Sequence, residues 1–168
     1  MTIYNLGSIN IDHLYMLERI PKPGETLSSL EGLSSIGGKG LNISVAAHRS
    51  GADVRHIGVV GSADQSVFDM IKGLGLDCTL ISQADAQTGH AIVYVDKKAE
   101  NSIVVHGGAN LLFSEVQIRT ALSSAKSNDW LVLQNETNAN ELGIAIAREK
   151  GMKIALVAAP FDAITMPQ

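Results

Sequence analysis

The sequence predicts an α/β fold in which helices cover both faces of a parallel sheet. Short β-branched runs alternate with segments of helical period along most of the 168 residues, and this alternation is typical of parallel sheets. Glycine, at 16 residues against four prolines, punctuates these segments where turns are needed. Hydrophobic residues make up 45% and charged residues 18% of the chain, which is enough for a folded core and unlike the composition of a disordered chain.

Each predicted element has a local reason. β-Branched runs closed by glycine or a turn predict strands, and apolar residues three or four apart predict helices. In chain order, we predict a strand over 3–9, irregular chain with short strands over 12–36, a helix over 41–50, a strand over 54–60, a helix opened by a capping box at 62–65 and ended by Gly75, a strand over 78–81, a hairpin over 88–106, a helix over 116–122 opened by a capping box at 114–117, a strand over 130–133, a helix over 138–150 and a strand over 153–158.

The hairpin interrupts the strand–helix alternation. Residues 88–96 and 102–106 flank the polar turn 97–101. Because side chains alternate along a strand, one face of the hairpin gathers the apolar residues. That face holds Ala91, Val93, Val95, Ile103 and Val105. A lone hairpin is not stable in water, so we expect it to pack on the core as an edge, to cover a ligand as a lid, or to form a dimer surface.

Composition excludes several classes of function. The formal net charge of −4 and the pI near 5.7 argue against a non-specific nucleic-acid binder. A single cysteine, Cys78, excludes an internal disulfide and a thiolate-built zinc site, and we expect it to be an inert thiol in an apolar strand. No apolar run reaches the length that spans a bilayer, and no signal peptide is recognisable. We therefore expect a cytoplasmic protein without membrane or nucleic-acid partners.

Known catalytic and metal motifs are missing from the sequence. The loop at 37–40 fails the phosphate-loop pattern, because Leu33 and Gly40 stand where glycine and serine or threonine are needed. No dinucleotide fingerprint follows a strand, and no Gly-x-Ser-x-Gly nucleophile turn is present. The five histidines show no His-Glu-x-x-His spacing, so we expect no metal site.

Polar residues follow the predicted strands where ligands bind in open parallel sheets. Asn10 and Asp12 follow the first strand, and Glu136 follows the strand ending at Leu133. The glycine block at 37–40 contributes Gly38 and Lys39 and is followed by Asn42. Carboxylates, amides and an ammonium around glycines suit a ligand with several hydroxyls. Taken singly, Asp12 could merely close a turn, and Glu136 could merely favour the start of the next helix.

The order and spacing of these motifs strongly resemble the ribokinase/pfkB family of carbohydrate kinases over essentially the whole chain. The matching segments are LGSINID (6–12), PKPGET (21–26), GGKGLN (37–42), AAHRSGA (46–52), GVVG (58–61), TG (88–89), GGAN (107–110) and QNE (134–136). The resemblance implies a ribokinase-like three-layer α/β/α sandwich over residues 1–168, with a small β-sheet lid built from about 12–36 and 88–106. It assigns sugar contacts to Asn10, Asp12, Gly38, Lys39, Asn42 and Glu136.

The sequence departs from the family pattern near its end. Kinases of this family carry a Gly-Ala-Gly-Asp segment that provides the anion hole and the catalytic base, and Asp162 has no such glycines before it. Val157 also stands where the family's Asn-Pro-Ala-Pro segment begins. We therefore expect the chain to cover about the first half of such a kinase, before the nucleotide-binding half, and to contain no catalytic residue.

Two functions stay open at this point. The first is an ATP-dependent sugar kinase, represented here by its sugar-binding half and inactive alone, for which the resemblance implies ATP and Mg²⁺ in the full-length protein but no stable binding by this chain. The second is a non-catalytic sugar-binding or dimerisation module. An unrelated nucleotide-binding domain is disfavoured by the missing phosphate motifs. We expect a homo-oligomer joined through the lid or the truncated sheet edge, because exposed apolar edges associate.

Overall fold

The computed structural model describes residues 1–161, and Asp162 lies outside this part of the chain. Within residues 1–161, nine strands form two sheets. The strands are β1 (Thr2–Leu6), β2 (Asn10–Leu17), β3 (Glu31–Gly37), β4 (Asp53–Gly61), β5 (Ile81–Ala84), β6 (Gly89–Asp96), β7 (Asn101–His106), β8 (Trp130–Gln134) and β9 (Lys153–Val157). The helices are α1 (Lys39–Arg49), α2 (Ser66–Gly73), α3 (Glu115–Ala121) and α4 (Asn140–Glu149), with a short 3₁₀ turn at Gly108–Leu111. Within residues 1–161, no helix is long and apolar enough to cross a membrane.

The large sheet is entirely parallel and has the order β5-β4-β1-β8-β9. Alternation along β1 sends Tyr4 and Leu6 to one face and Asn5 to the other. Tyr4 and Leu6 belong to a cluster that includes residues of α3 and α4, among them Ile118 and Ile146. Asn5 bonds to α1 on the opposite face. Helices therefore cover both faces, which confirms the predicted three-layer α/β/α sandwich.

The small sheet has the order β3-β2-β6-β7 and is mixed. β2 pairs in parallel with β6, whereas β3 and β7 pair antiparallel on either side. The predicted hairpin is confirmed as β6 and β7, and its register sets Ala91 opposite Val105 and Val93 opposite Ile103, so these side chains share one face. We call this sheet the small sheet below.

Several predicted elements need correction. The short strands predicted within the irregular segment 12–36 are β2 and β3, and residues 18–30 between them form no helix or strand. Their bounds were not predicted, because their pairing is non-local and leaves only a weak local pattern. The first strand ends at Leu6 rather than at residue 9, because the chain then turns toward the small sheet. The segment 78–81 is not a strand: β5 begins at Ile81, where it pairs with Gly58 of β4.

Side-chain interactions explain two further differences. The capping box at 62–65 is wrong, because α2 begins at Ser66 without a side-chain cap, and Asp64 instead accepts hydrogen bonds from the amide and hydroxyl of Thr88. Cys78 lies in the turn before β5, not in a strand, and burial raises the pKa of its thiol. The cap at Ser114 is confirmed, since its side chain accepts from the Gln117 amide.

Candidate functional site

The loop from β1 to β2 and the beginning of α1 form the floor of the candidate site. The Ser8 carbonyl accepts the Leu41 amide at 3.0 Å, and the Ser8 hydroxyl accepts the Gly40 amide at 3.2 Å. Gly38 precedes α1 with φ of 101°, and a Cβ there would lie 2.6 Å from the Ser8 carbonyl oxygen. Only glycine fits this backbone and this space, so the α1 terminus lies directly against the loop.

Glu136 lies just beyond β8 and is held by two neighbours on this floor. Its Oε1 accepts from Lys39 Nζ at 2.6 Å, and its Oε2 accepts from Ser8 Oγ at 2.5 Å. The Lys39 amide, at the first position of α1, lies 3.4 Å from the same Oε2. The Glu136 side chain is only 10% exposed, whereas that of Lys39 is 43% exposed. The carboxylate is therefore oriented and paired, while its cationic partner can reach solvent.

Asp12 approaches the same floor from the small sheet. It lies on β2 beside β3, and a Cβ on Gly37 would come 2.0 Å from Asp12 Oδ2. Burial raises the pKa of the Asp12 carboxyl, and the Glu136 carboxylate raises it further, against the lowering effect of Lys39 and His13. These interactions mean that Asp12, Lys39 and Glu136 are electrostatic neighbours around Gly37 and Gly38.

The remaining predicted site residues lie at the margins of this group. Asn10 is buried at the beginning of β2, and its Oδ1 accepts from Asn110 Nδ2 at 2.8 Å. Asn110 also exchanges two hydrogen bonds with the Ile9 backbone, at 2.9 and 3.1 Å. Asn42 is exposed on the first turn of α1. The structure thus brings Asp12, Gly38, Lys39 and Glu136 together. The Asn10 side chain is hydrogen-bonded to Asn110, and Asn42 lies at the surface.

A buried polar chain supports the floor from below. Gln134 donates to Asn5 at 2.7 Å, Asn5 donates to the hydroxyl of Ser44 at 2.8 Å, and Ser44 contacts His56 Nδ1 at 2.8 Å. Asn5 also donates to the Gly40 carbonyl at 2.6 Å. Burial lowers the pKa of His56 to about 4, so this histidine is neutral near pH 7. This series of hydrogen bonds links β8, β1 and β4 to α1 and thereby fixes the position of the glycine block.

Sequence reasoning missed Ser8 and Asn110 as site-building residues. Ser8 lies within the segment 6–12 but is not among the predicted site residues, although a small polar residue directly after a strand end is a usable signal. Asn110 is 100 residues away from its partner Asn10, and no local pattern predicts that pairing.

The arrangement can bind a neutral, hydroxyl-rich molecule. Asp12 and Glu136 provide carboxylate acceptors from two different sheets, and Lys39 provides a donor between them. The buried glycines at 37 and 38 let Asp12 and the Ser8 loop approach the backbone closely, which keeps these charges together.

The fold is an α/β/α domain with a small mixed sheet beside its parallel sheet, and the candidate site lies between the two sheets. A profile of the pfkB family carbohydrate kinases matches residues 2–163. The chain therefore belongs to the pfkB family of carbohydrate kinases.

Individual relatives agree with this assignment. The chain is 39% identical to a ribokinase of Haemophilus influenzae over 166 residues, which cover 95% of this chain and 54% of that protein. A crystal structure of ribokinase from Thermotoga maritima superposes with a TM-score of 0.83 at 29% identity, covering 96% of this chain and 54% of the other. The structure of Arabidopsis thaliana ribokinase complexed with ribose and ATP gives a TM-score of 0.72 at 27% identity, covering 92% and 52%. The chain thus spans about half the length of these relatives.

Proposed function

We propose that the chain binds a sugar between the small sheet and the beginning of α1, and that it represents the sugar-binding half of an ATP-dependent sugar kinase. The observation that carries this proposal is the approach of Asp12 to the Lys39–Glu136 ion pair around two glycines. Membership of the pfkB family supports the same reading. Ribose is the first sugar to test, because the relatives described above are ribokinases.

Each site residue has a distinct task in this proposal. Asp12 and Glu136 accept hydrogen bonds from sugar hydroxyls, and charged acceptors make stronger bonds than neutral ones. Lys39 donates to a sugar oxygen while it holds Glu136 in place. Gly38 places the beginning of α1 against the Ser8 loop beside the sugar, and Asn10 and Asn42 supply amide groups at the margins.

We propose that this chain does not stably bind the nucleotide and its magnesium ion. Among residues 1–161, no group of three histidine, cysteine or carboxylate side chains is arranged to hold a metal ion. Lys39, the cation nearest the glycine block, already pairs with Glu136, and the block fails the phosphate-loop pattern. We derive no phosphoryl-transfer step from these residues and propose that the 168-residue polypeptide binds sugar without phosphorylating it. The alternative is a non-catalytic sugar-binding or dimerisation module.

Calorimetric titration with ribose, other pentoses, hexoses and nucleosides tests the binding proposal. We expect saturable binding that weakens about tenfold or more in Asp12→Asn, because a charged acceptor is lost without a change of shape. Asp69→Asn, on an exposed position of α2, is the matched control and should bind as the wild type does. Absence of binding to every sugar, or equal binding by Asp12→Asn with its fold intact by circular dichroism, would contradict the proposal.

A coupled assay of nucleotide consumption with the same sugars tests the proposed lack of turnover. We expect no rate above that of buffer for the 168-residue polypeptide. Sugar-dependent turnover would show that this polypeptide is a complete kinase. Binding without turnover would leave the family's kinase reaction to a longer protein, or favour the non-catalytic module.

We also propose that the small sheet acts as a lid and joins two copies of the chain. Ile103 and Val105 on the edge strand β7 are 53% and 51% exposed, and both lie on the face of the small sheet that carries Asp12. Apolar side chains exposed on an edge strand favour association. The family resemblance, in which the lid often pairs subunits, supports the same arrangement.

A further inference from the structure

Three histidines lie together on the face of the small sheet opposite Asp12. His90 of β6 stands directly across from His106 of β7, and their ring centres are 5.0 Å apart. His13 of β2 lies on the same face, with its ring centre 6.3 Å from that of His90. Although 93 residues separate His13 from His106, three adjacent strands bring their rings into one row. The sequence carries no spacing signal for this group.

The spacing of the His90 and His106 rings suits a shared metal ion. Two imidazoles bound to one tetrahedral zinc ion at Zn–N distances of about 2.0–2.1 Å hold their ring centres about 5 Å apart. The observed 5.0 Å agrees with this value. The 6.3 Å between His13 and His90 exceeds it by about 1 Å, which a side-chain rotation can close.

Hydrogen bonds prepare the ring nitrogens for this role. His90 Nδ1 faces the Thr88 carbonyl at 3.4 Å, and a carbonyl can only accept, so the proton of the neutral ring lies on Nδ1 and the lone pair on Nε2. His13 Nδ1 is engaged by the Ser34 hydroxyl at 2.9 Å, which also leaves Nε2 available. Histidines that bind metals commonly have their second nitrogen fixed by such a partner.

The surroundings provide room and a negative charge. His13 and His90 line a cleft of about 410 Å³, together with Ile11, Thr88 and Asp64. The Asp64 carboxylate is oriented by two hydrogen bonds from Thr88 to its Oδ2. An ion bound by His90 and His106 would therefore have the Asp64 carboxylate in the adjoining cleft and enough space for water ligands.

We propose that His90 and His106 form a binding site for a borderline divalent metal ion such as Zn²⁺, with His13 as a third ligand after rotation. In the described residues, no three histidine, cysteine or carboxylate side chains are already arranged around a single metal position. His90 and His106 are therefore the first two ligands of the proposed site, and His13 is the third. The ion would fasten β7, whose residues are largely exposed, to β6 and β2. This site lies across the small sheet from the proposed sugar contacts and does not depend on them.

Calorimetric titration with ZnCl₂, in a buffer that does not chelate metals, tests this site in the 168-residue chain. We expect one saturable site whose affinity falls at least about tenfold in His90→Gln and in His106→Gln, and less in His13→Gln. His48→Gln, at an exposed histidine on α1, should leave zinc binding unchanged. Zn²⁺ should also raise the melting temperature of the wild type but not that of His106→Gln.

Two controls separate this site from other sources of zinc affinity. A Cys78→Ser variant removes the thiol and should retain the site, so loss of binding in that variant would overturn the proposal. Light scattering with added Zn²⁺ should show no zinc-driven association, because the ligands come from one chain. Absence of binding, equal affinity in His106→Gln, or zinc bridging between molecules would each contradict the proposed site.

Discussion

Ser8 connects two parts of the site through one hydroxyl. It donates to Glu136 and accepts the Gly40 amide, so the carboxylate and the helix terminus share the same anchor. A hydroxyl can donate once and accept as well, which no apolar residue of similar size can do. The orientation of Glu136 therefore depends on a residue that need not touch a ligand.

Replacing Ser8 tests that dependence. In Ser8→Ala, the buried Gly40 amide loses its acceptor and Glu136 loses a donor, so we expect the free energy of unfolding to fall by about 1–3 kcal/mol. Urea denaturation measures the change. Ser62→Ala, at an exposed serine, should change stability by less than about 0.5 kcal/mol. Equal effects of the two substitutions would show that the Ser8 bridge contributes little.

His56 predicts a pH dependence of stability. Its pKa is lowered to about 4 in the folded protein against 6.5 for a free histidine, so between these values the unfolded chain binds more protons. The contribution of His56 to the free energy of unfolding is therefore complete above pH 6.5 and is lost as the pH drops toward 4. Between pH 7 and pH 5 the free energy of unfolding should fall by about 2 kcal/mol. Urea denaturation of the wild type and His56→Gln at the two pH values measures this contribution.

The His56 variant should lose the histidine part of the pH dependence while also being less stable at pH 7, because the contact with Ser44 changes. His48→Gln, at an exposed histidine, should keep the wild-type pH dependence. An unchanged difference between pH 7 and pH 5 in His56→Gln would mean that other groups cause it.

Residue types at strand ends were sufficient to nominate most of the candidate site from the sequence. The carboxyl ends of parallel strands meet at one edge, so Asp12, Lys39 and Glu136 could be grouped before their distances were known. Their individual roles stay predictions until binding is measured. The histidine row could not be found in this way, because it arises from contacts between strands that are distant in the sequence.

At the scale of elements, helix α1 is placed by Gly38. Its φ of 101° is unfavourable for other residues, and a Cβ would lie within 3.0 Å of three backbone atoms of Ser8 and Asn10. We expect Gly38→Ala to lower the free energy of unfolding by more than about 3 kcal/mol, because backbone on both sides must move. Urea denaturation measures this loss.

Gly24 provides the matched control for this glycine. Its φ is 83°, but a Cβ there meets nothing within 4 Å. Gly24→Ala should therefore cost only the conformational strain of about 1–2 kcal/mol. Similar losses at the two positions would show that the close approach to Ser8 is unimportant.

Elements with strong local signals were predictable, and those that depend on distant partners were not. α4 and β8 were predicted within two residues of their observed ends, because apolar period and turn residues agree there. β2 and β3 were predicted only as short strands without bounds within 12–36, since their order comes from pairing with each other and with β6. The predicted cap at Ser62 fails because the Ser62 amide donates to the Ala84 carbonyl at 2.8 Å at the end of β5, and α2 begins only at Ser66.

At the scale of the whole molecule, the proposed pairing through the small sheet can be tested by charge. Ile103→Lys with Val105→Lys should convert a dimer into a monomer, because both changes place ammonium groups on the apolar face. Val104→Lys is the matched control, since Val104 is exposed to a similar degree but lies on the opposite face. Light scattering at high concentration measures the mass. A wild-type monomer, or equal disruption by Val104→Lys, would contradict the proposal.

The two carboxylates of the candidate site belong to two different sheets, which share no strand. Asp12 belongs to the small sheet, whereas Glu136 follows a strand of the large sheet. A ligand bound by both carboxylates would connect the small sheet to the large sheet. Hydrogen–deuterium exchange should then slow in the amides of β7, the edge strand of the small sheet, and this slowing offers a measure of ligand occupancy.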